Sequence, residues 1–348
     1  MKKWYEAEAD DTDVSAETSI CLARNLEGVP FPSRMSISDR RSVWNRVRAA
    51  LAKAEDASNG RFAEIDLETA SKVQTISLVE RGLISAEMVT DRAGRGLAAT
   101  EDESLSVAVN GEDHLSIQSQ AAGMQLKKVY SRADALDTFL DRLLPFAFDP
   151  HLGYLTQNPF HLGTGMVASL RLHLPALLES GSTGRIAQNL SRLGLTLRGI
   201  YGPGNPKGAF FRLSNQVTMG LSEREALGNL SSMAKQLISR EREMRENLAH
   251  QLSIQDMILR DLGILKHARL LSYDEFLKRA SSVRLGIAMG LICGIAIHEM
   301  DTMIYRTQPA TLAFCDSRAL TDKERRELRA RIVREGLKLG TEDVSNGK

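Results

Sequence analysis

The sequence predicts an α+β protein: a mainly antiparallel sheet flanked by helices, followed by an all-helical C-terminal region. Three observations carry this. Leu105–Val109 alternates and is bounded by Asn110 and Gly111, and residues 114–118 follow as a partner strand. Helical spacing of apolar residues recurs at 36–56, 134–144 and 221–250. Beyond residue 245 the mixed pattern becomes helix alone, at 254–262, 273–281, 284–303 and 321–339.

The elements follow in order. Residues 1–13 are polar and acidic and are expected to fray. The helix over 36–56 stops at Ser58, Asn59 and Gly60. Residues 64–80 read as a second helix or as a helix–strand unit. Strands are expected at 153–156, 196–202 and 209–213, with a helix at 184–193 between them. The helix over 221–250 opens with Ser222 and Glu225 in capping-box spacing, and Thr321 with Glu324 repeats that device. Pro309 separates the last two helices. This divides the chain into residues 1–245 and a helical domain of residues 246–348.

The chain has 348 residues, 43% apolar and 26% charged, as in an ordinary globular protein. Its net charge of +1 argues against a dedicated nucleic-acid binder. Lys2 and Lys3 face six acidic residues within 1–20, and residues 318–338 are basic in turn, so a local anion site there is open. Cys21, Cys293 and Cys315 form no CxxC pair, which fits a reducing cytoplasm. No signal peptide is read at the N-terminus. The longest apolar run, 285–297, is too short for a membrane span of about 20 residues and reads as a buried helix with close glycine contacts.

Several collinear segments carry more. They include Leu22-Ala-Arg-Asn-Leu26, residues 78–85, Glu112-Asp-His-Leu115, residues 154–175, Leu197-Arg-Gly-Ile-Tyr-Gly202 and Ser214-Asn-Gln-Val-Thr-Met-Gly220. Together they resemble the ATP:guanidino phosphotransferases, specifically the bacterial protein-arginine kinases, over roughly residues 15–340. The resemblance implies a guanidino-kinase-like fold with a small helical N-terminal part, the antiparallel sheet and a helical C-terminal domain. It implies ATP and Mg²⁺ as cofactors, an arginine side chain as phosphoryl acceptor, and a homodimer, for which the apolar 285–297 run is a second argument. It also implies partners such as a AAA+ unfoldase, a kinase activator, an active paralogue or arginine-phosphorylated proteins, with no nucleic acid and no membrane.

Phosphoryl transfer to a guanidinium needs arginines to clamp phosphates and a carboxylate to hold and deprotonate the acceptor. This chain departs from the family at those positions. The first clamp, Ser-Ser-Arg-hydrophobic-Arg, reads Glu17-Thr-Ser-Ile-Cys21, so Ser19 and Cys21 stand where arginines belong. Gly82 replaces a histidine. Asn110-Gly-Glu-Asp-His-Leu-Ser-Ile117 keeps a guanidinium-binding carboxylate in Glu112 but has Ser116 for an arginine. Asn158 stands at the substrate-facing cysteine, Val167 at a fourth clamp arginine and Pro206 at the catalytic glutamate.

Each charge-assisted bond to phosphate contributes about 1.5–3 kcal/mol. Loss of the base alone costs about 10²–10⁴ in rate. Two readings follow. One is a phosphotransfer-deficient regulatory or binding protein in arginine phosphorylation and protein quality control. The other is an active protein-arginine kinase whose clamp is rebuilt from Arg24, Arg171 and Arg198. Glu112, Asp113 and His114 are either a working acidic site or a polar strand-end cluster. His161 and His173 have no ligand spacing and read as packed or solvent-facing, so no metal is assigned.

The family's phosphoarginine-binding Arg-Asp-x-x-Arg-Ala is similar to Arg325-Arg-Glu-Leu-Arg-Ala330. Arg325 and Arg329 share one helical face, as two groups aimed at one phosphate would. Arg326 stands for the aspartate, and the alternative is a basic solvated helix.

Overall fold

The computed structural model describes residues 2–54, 61–200, 207–316 and 320–337. Its sheet is built from β1 (Ser15–Arg24), β2 (Phe62–Asp66), β3 (Gly96–Thr100), β4 (Leu105–Val109), β5 (Leu115–Ala121), β8 (Met166–His173), β9 (Leu195–Gly199) and β10 (Phe210–Asn215), while β6 (Phe148–Asp149) and β7 (Gly153–Tyr154) form a separate short hairpin. The sheet order is β2-β3-β4-β5-β1-β8-β10-β9, and every pairing is antiparallel. Two adjacent interior strands, β1 and β8, are not among the strands that alternation predicts.

Strand alternation divides the sheet into two chemically different faces. Ile20, Leu22, Leu170, Leu172, Leu213 and Ile117 lie on one face, each no more than 1% exposed. Helices α1 (Ile37–Ala54), α4 (Leu126–Asp141) and α7 (Glu223–Ala249) cover it, with Trp44, Val47, Val129, Leu136, Leu230 and Leu237 in the same core. Between these elements lie α2 (Lys72–Glu80), α3 (Glu87–Thr90), α5 (Pro175–Glu179) and α6 (Thr183–Arg192). The expected segment 64–80 is therefore a strand followed by a helix. The opposite face carries Glu17, Ser19, Cys21, Ser116, Gln118, Ser169 and Arg212, and is the floor of the site.

The C-terminal helices are α8 (Leu252–His267), α9 (Tyr273–Ala288), α10 (Ile297–Arg306), α11 (Pro309–Asp316) and α12 (Asp322–Gly336). They enclose a second core around Ile258, Phe276, Leu277, Val283, Met300 and Val333. Gly286 supplies the close contact expected of the apolar run: a Cβ there would sit 2.5 Å from the Ile258 side chain. The run is nevertheless not one helix. Helix α9 ends at Ala288 and α10 starts at Ile297, because Gly290 turns left-handed at φ +70°. Leu285, Ile292 and Ile295 are buried within this chain, so these three side chains serve its own core.

The N-terminal segment is docked rather than frayed. Trp4 and Tyr5 are 6% exposed, and Tyr5 stacks on Tyr305 with ring centroids 4.7 Å apart. Arg242 pairs with Asp11 and Asp13, and Arg306 pairs with Glu6. Arg284, fully buried, forks onto Asp301 at 2.8 and 3.1 Å and donates to the carbonyls of Thr12 and Asp13. The acidic pattern that suggested fraying is satisfied by arginines far away in sequence.

Candidate functional site

A cavity of about 480 Å³ opens over the polar face of the sheet. Ser19, Cys21, Gly82, Glu112, Ser116 and Val167 all line it. Residues read as site positions from five separate segments thus surround one space. Strand β1 supplies Ser19 and Cys21, β5 supplies Ser116, β8 supplies Val167, and the turn after α2 supplies Gly82.

Glu112 sits in the β4–β5 turn. Asn110, at φ +61°, fixes that turn by donating from Nδ2 to the carbonyls of Arg40 and Gly94 at 2.8 and 2.7 Å. Asp113 is 2% exposed, and its Oδ1 accepts from Asn25 Nδ2 at 2.6 Å and from the Gln157 amide at 2.7 Å. It is a staple holding β1, the turn and the 157 segment together. His114 Nδ1 accepts from the Leu26 amide at 3.0 Å, which places its proton on Nε2, facing the Pro30 carbonyl at 2.8 Å. Burial lowers its pKa from the ordinary 6.5. Of the trio Glu112, Asp113 and His114, only Glu112 is partly open to solvent, with a side chain 43% exposed.

His161 Nδ1 lies 3.9 Å from Glu112 Oε2, and Glu112, Asp113 and His161 offer ligand atoms within 4.8 Å of one another. The sequence reading missed this because His161 lies far along the chain from the adjacent Glu112 and Asp113. His173 is fully buried, with Nε2 2.8 Å from Ser281 Oγ.

The clamp substitutes behave differently from expectation. Arg24 is 2% exposed and forks onto Asp137 at 2.9 and 3.0 Å; it also donates to the Thr164 carbonyl and lies over the Tyr154 ring. It is structural and does not line the cavity. Arg171, 7% exposed, donates to Tyr305 Oη at 3.0 Å, and that hydroxyl donates to Glu17 Oε2 at 2.7 Å. Arg198 is exposed on β9 and stands outside the lining. Asn158 caps a short turn, its side chain accepting from the Phe160 amide at 3.1 Å, and does not line the cavity either. Pro206 lies outside the described residues. Cys21 is no ready nucleophile: burial, with the Asp113 charge adding to it, pushes its thiol up to about 11.

The arginine that does line the cavity is Arg212, which the sequence reading overlooked. Its signal was present in Phe210–Asn215, where alternation sets Arg212 on the face opposite Leu213.

The positions that would clamp phosphates therefore present a hydroxyl, a thiol, a second hydroxyl and an isopropyl group. None carries positive charge, so they do not fit a nucleotide's phosphates.

A second cavity, about 360 Å³, is lined by Arg325, Arg326, Arg329, Asp322, Glu80 and Tyr273, among others. Arg329 is 3% exposed, donates to the carbonyls of Thr307 and Leu271 at 2.9 Å each, and is pushed down to about 10 by burial. Arg325 donates to the Leu320 carbonyl, and Arg326 pairs with Asp322. Helical spacing does bring Arg325 and Arg329 to one cavity, with Arg329 largely engaged by backbone.

The antiparallel sheet with Glu112 in a turn beside a cavity on its polar face fits a guanidino-kinase type of architecture. Comparison with known proteins gives the same answer. The profile described as "ATP:guanido phosphotransferase, C-terminal catalytic domain" matches residues 42–244, and "Protein-arginine kinase McsB C-terminal domain" matches residues 251–347. A protein-arginine kinase of Clostridium acetobutylicum is 36% identical over 97% of this chain and 100% of its own length. One from Syntrophomonas wolfei is 40% identical over 97% of this chain and 96% of its own. The crystal structure of a lombricine kinase superposes with a TM-score of 0.60 over 69% of each chain at 23% identity, a likeness of fold. The chain belongs to the protein-arginine kinase family of ATP:guanido phosphotransferases.

Proposed function

We propose that this chain binds arginine side chains of proteins in its sheet-face cavity, that phosphotransfer from ATP is lost or strongly impaired, and that it acts as a regulatory or binding protein in arginine phosphorylation and protein quality control. The observation that supports this is the cavity itself: Glu112 is open to solvent there, while Ser19, Cys21, Ser116 and Val167 surround it without a cation. A guanidinium gains a charged partner in Glu112, but a migrating phosphoryl group gains none from those four side chains.

The reading carries further proposals: a cytoplasmic location, a homodimer, a division into residues 1–245 and 246–348, and partnership with a AAA+ unfoldase, a kinase activator or an active paralogue. No helix among the described residues is long and apolar enough to cross a membrane. The second reading, an active protein-arginine kinase with a relocated clamp using ATP and Mg²⁺, is favoured by the names of full-length relatives at 34–40% identity and by Arg212 in the cavity.

Binding of a fluorescent arginine-rich peptide tests the proposal. Glu112→Gln should weaken it by about tenfold or more, the worth of one charged pair. Equal binding by the wild-type chain and the variant sinks the assignment of Glu112.

A further inference from the structure

Two separate turns meet at one corner of the sheet-face cavity. The β4–β5 turn brings Glu112 and Asp113, and the short turn Pro159–His161 brings His161. Their ligand atoms all lie within 4.8 Å of one another, and His161 Nδ1 is 3.9 Å from Glu112 Oε2. Two ligands of one zinc-sized ion, each about 2.1 Å from it, stand at most roughly 4.2 Å apart. The gap between Glu112 and His161 already falls within that span. A shift of roughly half an ångström brings the remaining pairs inside it.

The backbone that carries these groups is fixed. Asp113 Oδ1 accepts from Asn25 Nδ2 and from the Gln157 amide, so the carboxylate itself ties one turn to the other. Thr218 Oγ1 bonds the Phe160 and Leu162 carbonyls, on either side of His161. The His161 amide donates to the Asn158 carbonyl, and its own carbonyl accepts from the Gly165 amide. A further observation points to a ligand. Asp113 is 2% exposed and lines the cavity, yet its Oδ2 accepts no hydrogen bond from any described residue. One oxygen is saturated by the scaffold and the other is left to the cavity. Neither carboxylate forms an ion pair with a lysine or arginine among the described residues. Two adjacent negative charges held this way are costly until a cation meets them.

We propose that Glu112, Asp113 and His161 hold one divalent transition-metal ion, with Zn²⁺ as its type, and that the ion and an arginine side chain exclude one another at Glu112. An imidazole beside two carboxylates suits Zn²⁺, whereas Mg²⁺ prefers six oxygens and keeps most of its waters. Water completes the coordination. Bound metal takes the charge of Glu112 that a guanidinium would otherwise meet. Metal thus closes the pocket to arginine, and its removal opens it. The exclusion deepens the reading above and rests on it; the metal site itself does not.

Calorimetric titration of the chelator-stripped full chain with ZnCl₂ tests the site. One equivalent should bind to wild type, far more tightly than Mg²⁺ added in its place. His161→Asn and Glu112→Gln should each lose about tenfold or more in Zn²⁺ affinity, since even an outer partner of a metal ligand contributes that much. Asp113 is left in place because it also ties the two turns together. His250→Asn, at an exposed histidine that ends α7, should titrate as wild type. No uptake by wild type, or uptake unchanged in both His161→Asn and Glu112→Gln, overturns the site. Mg²⁺ binding as tight as Zn²⁺ binding overturns it too, because it removes the imidazole from the ligand set. Zn²⁺ should also displace a fluorescent arginine-rich peptide from wild type and leave peptide on His161→Asn unmoved at the same concentration. Equal displacement from both overturns the exclusion. A chain that takes up Zn²⁺ through His161 but never binds the peptide overturns the exclusion together with the guanidinium reading, and leaves the metal site standing. Peptide binding without zinc uptake does the reverse.

Discussion

At the residue scale, the buried polar groups show how the site's surroundings are fixed. His173 is enclosed beside Arg284, Arg245 and Arg171; burial first, and those charges next, hold its pKa well below 6.5. The unfolded chain takes up a proton near pH 6.5, whereas the folded chain does not until much lower. Stability is thus intact above that value and falls as pH drops below it, by up to about 1.4 kcal/mol per pH unit for one such group. His114 adds to the same trend. Urea melts at pH 7.5 and 5.5 should show this loss, and His173→Gln should flatten it. An unchanged slope in the variant contradicts the assignment. Glu17 shows a different economy of charge. It lines the cavity beside Ser19, yet its partner is a hydroxyl from α10, so the helical domain reaches into the cavity's edge.

At the element scale, β4, β5, β9, β10 and most helices are legible in the sequence, whereas β1, β3 and β8 are not. Leu105–Val109 carries a clean alternation and a turn signal. Strands β1 and β8 are flanked on both sides, so most of their residues are buried whichever way they point. Their polar face of Glu, Ser, Cys and Arg serves a cavity rather than water, which hides the usual hydrophobic-in, polar-out pattern. The same fact explains Arg212: only the register of β8, β10 and β9 reveals its neighbours. Residues 1–13 read as frayed because their acids have partners only in three dimensions, chiefly Arg242, Arg245 and Arg306, while Arg284 binds the carbonyls of Thr12 and Asp13. Arg284→Met should therefore destabilise the protein by about 3–5 kcal/mol, because Asp301 is left buried without its charge partner. Chemical denaturation measures it. A change under about 1 kcal/mol would mean that Asp301 finds another donor.

At the scale of the whole molecule, the two cores are joined at several points. Helix α7 begins over the first core and ends with Leu248 in the second. Glu80 at the end of α2 accepts from the amides of Ala310 and Thr311 and from the Thr311 hydroxyl, capping α11. The next residues along the chain, through Ser85, include Gly82 and Leu83 on the cavity wall. The fold thus holds Glu112, the uncharged side chains of Ser19, Cys21, Ser116 and Val167, and Arg212 around one space.

The most direct measurement is single-turnover transfer, with the chain in excess over an arginine-rich protein in Mg-ATP, read as acid-labile phosphate on arginine. The account predicts none above the ATP-only background. Stoichiometric phosphoarginine on the substrate would contradict it and establish a working kinase.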